Sequence, residues 1–220
     1  MGRFKFICSI IVVITVPIVI ITLSQNIIFR LPDVYLFYFN DSQVIDNIYT
    51  SLTNSEMADG IAGFFNSFHP SEFQIYEDTG YDLQGIFDSG DSYNMLILKR
   101  ALDICGILGI VALILTVAVY IFFLKEDEKK LLRNSFRIST GISVLLIAAQ
   151  AVLMAVSQFR DGVCRLMGLR TLSDSSNLAI ILGEDFWDIA VYFVTGMALI
   201  VLLIAIYTNY RLTKPPRIFY

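Results

Sequence analysis

Apolar residues run almost without interruption over 6–29, and again over 101–124, 138–159 and 187–208. Each run matches the roughly 20 residues a helix needs to cross a bilayer. The pattern predicts an all-α membrane fold, a four-transmembrane-helix bundle. The first run contains Pro17, an expected kink site. It exceeds a signal-peptide core and is followed by no small-residue cleavage pattern, so it is expected to stay as the first span.

The stretch between the first two spans has a different texture. Val34, Tyr35, Leu36, Phe37, Tyr38 and Phe39 have the aromatic enrichment of a strand. Thr53 and Glu56 have the spacing of a capping box, in which the threonine oxygen and the glutamate each take a backbone N–H of the first helical turn. Met57, Ile61, Phe64, Phe65 and Phe68 then form a stripe at helical spacing, read first as core and, as a sharper alternative, as a lipid- or peptide-binding surface. Turns are expected at Gly80-Tyr81-Asp82 and at Asp88-Ser89-Gly90-Asp91. So many Phe, Tyr and Ile residues need somewhere to pack, which predicts a folded extracytoplasmic loop domain of mixed α/β structure between helices 1 and 2.

The expected organisation is the N-terminus and helix 1 over 1–29, the loop domain over 30–98, helix 2 over 99–124, and a charged connection over 125–137. Helix 3 over 138–159, a second outer loop over 160–186, helix 4 over 187–208 and a tail over 209–220 complete it.

Composition agrees with the hydropathy: 56% of the 220 residues are hydrophobic and 16% charged, too apolar for an ordinary soluble domain. The net charge of −4 hides a strong asymmetry. From residue 31 to 93 the acids are Asp33, Asp41, Asp46, Glu56, Asp59, Glu72, Glu77, Asp78, Asp82, Asp88 and Asp91, preceded by Arg30 as the single base. Arg3, Lys5, Lys125, Lys129, Lys130, Arg133, Arg137, Arg211, Lys214 and Arg217 fall on the side of the termini. Basic residues in short loops mark the cytoplasmic side, so the expectation is a multi-pass protein of the plasma (cytoplasmic) membrane with both termini cytoplasmic. No basic, aromatic-interleaved patch argues for nucleic acid. Cys8, Cys105 and Cys164 are far apart, and His69 is the one histidine; no clustered metal site follows, and no cofactor is expected. His69, before Pro70, reads as a loop residue.

Polar groups gather at the predicted outer ends of the spans. Asp91, Asn94, Lys99, Arg100 and Asp103 lie at the entry to helix 2, Gln158 and Arg160 at the end of helix 3, and Glu184, Asp185 and Asp188 at the start of helix 4. A carboxylate within a span costs about 2.5–3.5 kcal/mol on insertion scales, so Asp103 requires a partner. Lys99 and Arg100 are the nearest on its helix. Asp91 or Ser92 is expected to cap helix 2, and the acids of helix 4 suit its positive N-terminal end. Gln150 reads as interhelical glue.

The order of these parts resembles the bacterial lipoprotein intramolecular transacylase family of four-span membrane proteins. The likeness lies in residues 35–39, in 51–56, in the entry to helix 2, and in Gly183, Glu184, Asp185, Phe186 and Trp187. The resemblance implies an enzyme that moves an acyl chain from the diacylglyceryl group of a lipoprotein onto the amine of its N-terminal cysteine. Its implied partners are a membrane lipid or a lipoprotein N-terminus. The family motif at this entry falls on Asp91, Asn94, Met95, Ile97, Leu98 and Lys99. The acid, the methionine and the lysine are kept, but Asn94 stands where the family has histidine and Ile97 where it has aspartate. The second family histidine, after a phenylalanine at the end of helix 3, falls on Arg160 after Phe159. Asn94 and Arg160 are thus the implied catalytic positions, yet an amide does not titrate and a guanidinium stays protonated. Either can hold a carbonyl or oxyanion; neither can act as the base that acyl transfer to an amine needs. The expectation is a transacylase-like scaffold with altered or lost catalysis, or a non-catalytic lipid- or protein-binding protein on the same scaffold.

Overall fold

The structure is a computed structural model, and it describes residues 2–48, 50–68, 72–78, 80, 82–169 and 176–214, without the side chain of Glu184. In chain order the helices are α1 (Arg3–Arg30), α2 (Pro32–Ser42), α3 (Asn54–Asn66), α4 (Ser89–Lys125), α5 (Lys129–Ala155), α6 (Ser157–Leu166), α7 (Asn177–Ile181) and α8 (Glu184–Thr213). A 3-10 turn over Val44–Asn47 follows α2, and strands β1 (Tyr76–Asp78) and β2 (Leu83–Gly85) lie between α3 and α4. Four helices, α1, α4, α5 and α8, are long and apolar enough to cross a membrane, as the hydropathy predicts. The chain is a multi-pass membrane protein.

The spanning helices run past their apolar stretches. α4 begins at Ser89 and α5 at Lys129, so most of the charged connection is helical and only residues 126–128 join the two. His69, Tyr81 and Arg217, singled out in the sequence, lie outside the described residues.

The chain divides into two compact units: Met1–Ser24, Cys105–Gln150 and Thr195–Tyr220 form the first, and Gln25–Ile104 with Ala151–Val194 the second. The first unit contains a stretch of each spanning helix. Val12, Val16 and Ile20 of α1, Val119 and Phe123 of α4, Leu132, Phe136 and Ile147 of α5, and Ala198 and Leu202 of α8 make its core. Small residues and hydroxyls let these helices approach. Thr15 and Thr116 share a hydrogen bond of 2.7 Å, Ser9 and Ser135 one of 2.5 Å, and a Cβ on Gly109 would collide with the Thr22 hydroxyl.

The second unit corrects one expectation. Residues 34–39 are not a strand; they belong to the helix α2. Pro32 stands in its first turn, where its fixed φ suits a helix and its missing N–H is not needed, and Asp33 adds a favourable charge at that end. Val34, Tyr35, Tyr38 and Phe39 are the buried residues, a helical spacing that puts all four on one face. The capping box forms as predicted: Thr53 Oγ1 accepts from the Glu56 N–H at 3.3 Å, and the Thr53 N–H donates to Glu56 Oε2 at 2.8 Å. Met57, Ile61, Phe64 and Phe65 are buried on α3, whereas Phe68, beyond the helix, is 94% exposed. The β content among the described residues is one antiparallel pair, with Tyr76 opposite Gly85 and Asp78 opposite Leu83. Gly80, with φ +79°, supplies the left-handed residue between the strands. The mixed α/β expectation therefore reduces to helices plus this small sheet.

Aromatic rings hold this unit together. Phe186 of α8 stacks on Tyr35 at 5.6 Å and meets Tyr38 edge-on at 5.5 Å. Phe73 lies 4.8 Å from Phe64 and 4.5 Å from Phe87. Each such pair adds about 0.5–1.5 kcal/mol to the area its rings bury. Gly60 leaves room for Ile75, whose Cδ1 would lie 2.6 Å from a Cβ there.

Candidate functional site

Two polar centres lie in the second unit, each built on α4. The first is at its N-terminus. Asp88 precedes the helix and caps it: Asp88 Oδ1 accepts from the Asp91 N–H at 2.7 Å, while the Asp88 N–H donates to Asp91 Oδ2 at 3.4 Å. This is a capping box with aspartate at both positions. It replaces the turn expected over these residues, and the cap is Asp88 rather than Asp91 or Ser92. Asp91 is 1% exposed, and its other oxygen, Oδ1, accepts from the Ser176 hydroxyl. Ser176 in turn caps α7, accepting from the Ala179 N–H at 3.2 Å. Ser92 Oγ accepts from the Phe73 N–H at 2.9 Å. One helical turn of α4 thereby fastens the segment before β1 and the start of α7. Asn94, 3% exposed, and Met95, fully buried, follow on that turn.

The second centre is the ion pair that Asp103 requires. Its partners are Arg30, at 2.6 Å, and Lys99, at 3.7 Å. Lys99 is the partner expected from the same helix, Arg30 comes from the end of α1, and Arg100, the other expected partner, is exposed. Lys99 is 3% exposed, and its Nζ also donates to the Phe65 carbonyl at 2.9 Å and sits 5.7 Å from the Phe64 ring. Arg30 donates to the same carbonyl and, through Nε, to Asn26 Oδ1 at 3.3 Å. Phe65 lies in the last turn of α3, where carbonyls lack helical partners and the helix end is negative. Two cations there answer both needs, and Asp103 answers the cations.

The remaining predicted residues are placed less closely. Arg160 belongs to α6 and is 8% exposed, with its guanidinium donating to the Met154 carbonyl at 3.5 Å. Gln158 is exposed, as are Asp185 and Asp188 in the first turns of α8. Glu184 opens α8, and its side chain lies outside the described residues. Burial raises the Tyr38 phenol above its ordinary value of 10.0, and the charge of Asp185 adds to the rise. Burial raises the Tyr35 phenol as well. Gln150, the expected interhelical glue, is half-buried on α5.

The site can therefore offer hydrogen-bond donors and fixed charges. Asp91 and Asp103 spend their oxygens on Ser176, Asp88, Arg30 and Lys99. No cluster of three or more His, Cys, Asp or Glu residues fit for a metal ion occurs among the described residues.

No protein-family model matches this sequence, and no curated protein does. Solved structures do match. The integral-membrane lipoprotein intramolecular transacylase Lit from Bacillus cereus aligns with a TM-score of 0.74 at 13% identity, over 97% of this chain and 98% of that one. The chain has the Lit fold. Two Lit variants, one with a histidine changed to arginine and one with it changed to alanine, align with TM-scores of 0.75 and 0.71, each over 97% of this chain and 93% of theirs. The near-complete cover means that the Lit fold extends beyond the four spans to the smaller elements between them. At 13% identity the likeness speaks for the fold and not for the reaction.

Proposed function

We propose that this protein uses a transacylase scaffold to hold an acylated ligand at the membrane interface without transferring the acyl chain. The ligand is the diacylglyceryl-bearing N-terminus of a lipoprotein or a membrane lipid of like chemistry. The chain has both termini in the cytoplasm, by the distribution of Lys and Arg, and its acidic segment and the α4 N-terminus are extracytoplasmic. The observation that carries the reading is the pair Asn94 and Arg160. Both are buried in the second unit, both occupy the positions where the family resemblance implies histidine, and neither takes up and returns a proton near neutral pH. A carboxylate as substitute base is disfavoured, because Asp91 and Asp103 already serve Ser176 and the Arg30–Lys99 pair and Asp188 is exposed. An amide such as Asn94 and a guanidinium such as Arg160 are donors of the kind that suits the carbonyl oxygens of an acyl ester.

The test is expression in a bacterium lacking a lipoprotein transacylase, with mass spectrometry of lipoprotein N-termini. The expected result is diacylated lipoproteins with a free amine. An N-acylated, singly O-acylated product would overturn the proposal.

A further inference from the structure

The helix α6 carries an apolar face that neither centre uses. α5 ends at Ala155, and Val156, at φ −92° and ψ 111°, breaks the ladder before α6 starts at Ser157. The break deprives the last carbonyls of α5 of helical partners, and the Arg160 guanidinium donates to one of them, on Met154. With roughly 100° per residue, α6 then presents three faces. Phe159, Val163 and Leu166 share one, and they are 55%, 41% and 89% exposed. Arg160 and Cys164 share a second, buried and half-buried, which packs on the protein. Asp161 and Arg165 share a third, exposed and charged.

We infer that α6 lies in the plane of the membrane interface, with the acyl chains of the surrounding leaflet covering Phe159, Val163 and Leu166. Two observations select lipid as the occupant. The exposed apolar residues of α6 follow in sequence on Val152, Leu153 and Val156, which are 52%, 44% and 38% exposed and close the apolar stretch of the spanning helix α5, whose exposed apolar side chains meet lipid. The charged face on the other side of α6 has the character an interfacial helix presents to headgroups and water. The hydrogen bond from Arg160 to the Met154 carbonyl ties α6 to the end of α5. The inference is independent of whether acyl transfer occurs.

The experiment uses the full chain in nanodiscs of phosphatidylcholine and phosphatidylglycerol. Nitroxide labels are placed singly at 159, 161, 163, 165 and 166 in a background carrying Cys8→Ala, Cys105→Ala and Cys164→Ala. Collision with oxygen, which concentrates in lipid, is compared with collision with an aqueous nickel chelate. The expected result is a helical alternation, with oxygen dominant at 159, 163 and 166 and nickel at 161 and 165, and immersion of about 5–10 Å at the first three. Nickel access at all five positions would overturn the inference. So would exclusion of both reagents at 159, 163 and 166, the outcome expected of a second copy or another protein on that face. A second measurement leaves the cysteines in place: in a Trp187→Phe background, lipids brominated high on the acyl chain should quench Phe159→Trp strongly and Asp161→Trp weakly. Equal quenching would overturn it as well.

Discussion

The two units bury polar groups of different kinds. In the first unit they are uncharged, the Asn209 amide and otherwise hydroxyls, and most hydroxyls bond to the helix that carries them: Thr15 to the Ile11 carbonyl at 2.8 Å, Thr22 to Ile18 at 2.7 Å and Ser143 to Ser139 at 2.9 Å, as does the half-buried Thr116 to Ala112 at 2.8 Å. In the second unit the buried groups include charges, Asp91, Lys99 and Arg160, and several bonds reach far along the chain, with Lys99 on Phe65, the half-buried Arg30 on Asp103, and Ser176 on Asp91. A hydroxyl that bonds its own helix is satisfied before the bundle assembles. A buried charge is satisfied only when the right segments have come together, so it specifies one arrangement of the second unit and penalises others. That difference fits a scaffold whose first unit is held by generic helix packing and whose second unit keeps a defined polar site.

Substitutions can break this contrast. Arg30→Met leaves Asp103 with only the longer contact to Lys99 and removes a donor from the Phe65 carbonyl. The cost should be about 2 kcal/mol, below the 3–5 kcal/mol of a fully buried broken pair because Asp103 is 41% exposed. Ser176→Ala withdraws a hydroxyl from the buried Asp91 carboxylate and the cap from α7, and should cost about 1–2 kcal/mol. Thermal unfolding in detergent reads both, and loss of stability below 0.5 kcal/mol, roughly the size of a neutral surface change, would remove the charged groups from the account. Thr15→Val in the first unit should cost about 0.6 kcal/mol, a typical interhelical hydrogen bond in a membrane. An effect as large as that of Arg30→Met would erase the contrast.

Acid gives the smallest and most local effect. Hydrogen bonds from Thr53, backbone first and then side chain, hold the Glu56 carboxyl below its ordinary value of 4.5, and bonds from Ser51 do the same for Glu77. Both groups therefore bind fewer protons folded than unfolded. Their contribution is complete above pH 4.5 and disappears as pH falls through the lowered folded values. Hydrogen exchange at the α3 N-terminus should rise over that window in the wild type. In Glu56→Gln the extra rise should shrink, and an unchanged profile would show that the capping box does not carry it.

What could be read in the sequence was local or periodic. The four spans are continuous apolar runs, and the capping box joins residues three apart. α2 was misread because its aromatics favour strands, while the deciding signals, Pro32 and Asp33 in the first turn and the 34, 35, 38, 39 spacing of the buried face, weigh less in a composition-based reading. The requirement for a partner at Asp103 was legible from its position in a span. Arg30 as that partner was not, because it lies 73 residues away, although its standing as the lone base beside eleven acids was a signal. Ser176 left only a faint trace, a serine before an apolar turn, and nothing local to it points at Asp91.

Binding without transfer can be read from a synthetic diacylated lipopeptide offered to the purified protein in nanodiscs. Native mass spectrometry should find the lipopeptide bound, and the recovered peptide should keep both ester-linked chains and a free N-terminal amine after prolonged incubation. Recovery of an N-acylated peptide with one ester-linked chain, or failure to bind the lipopeptide at all, would contradict the account.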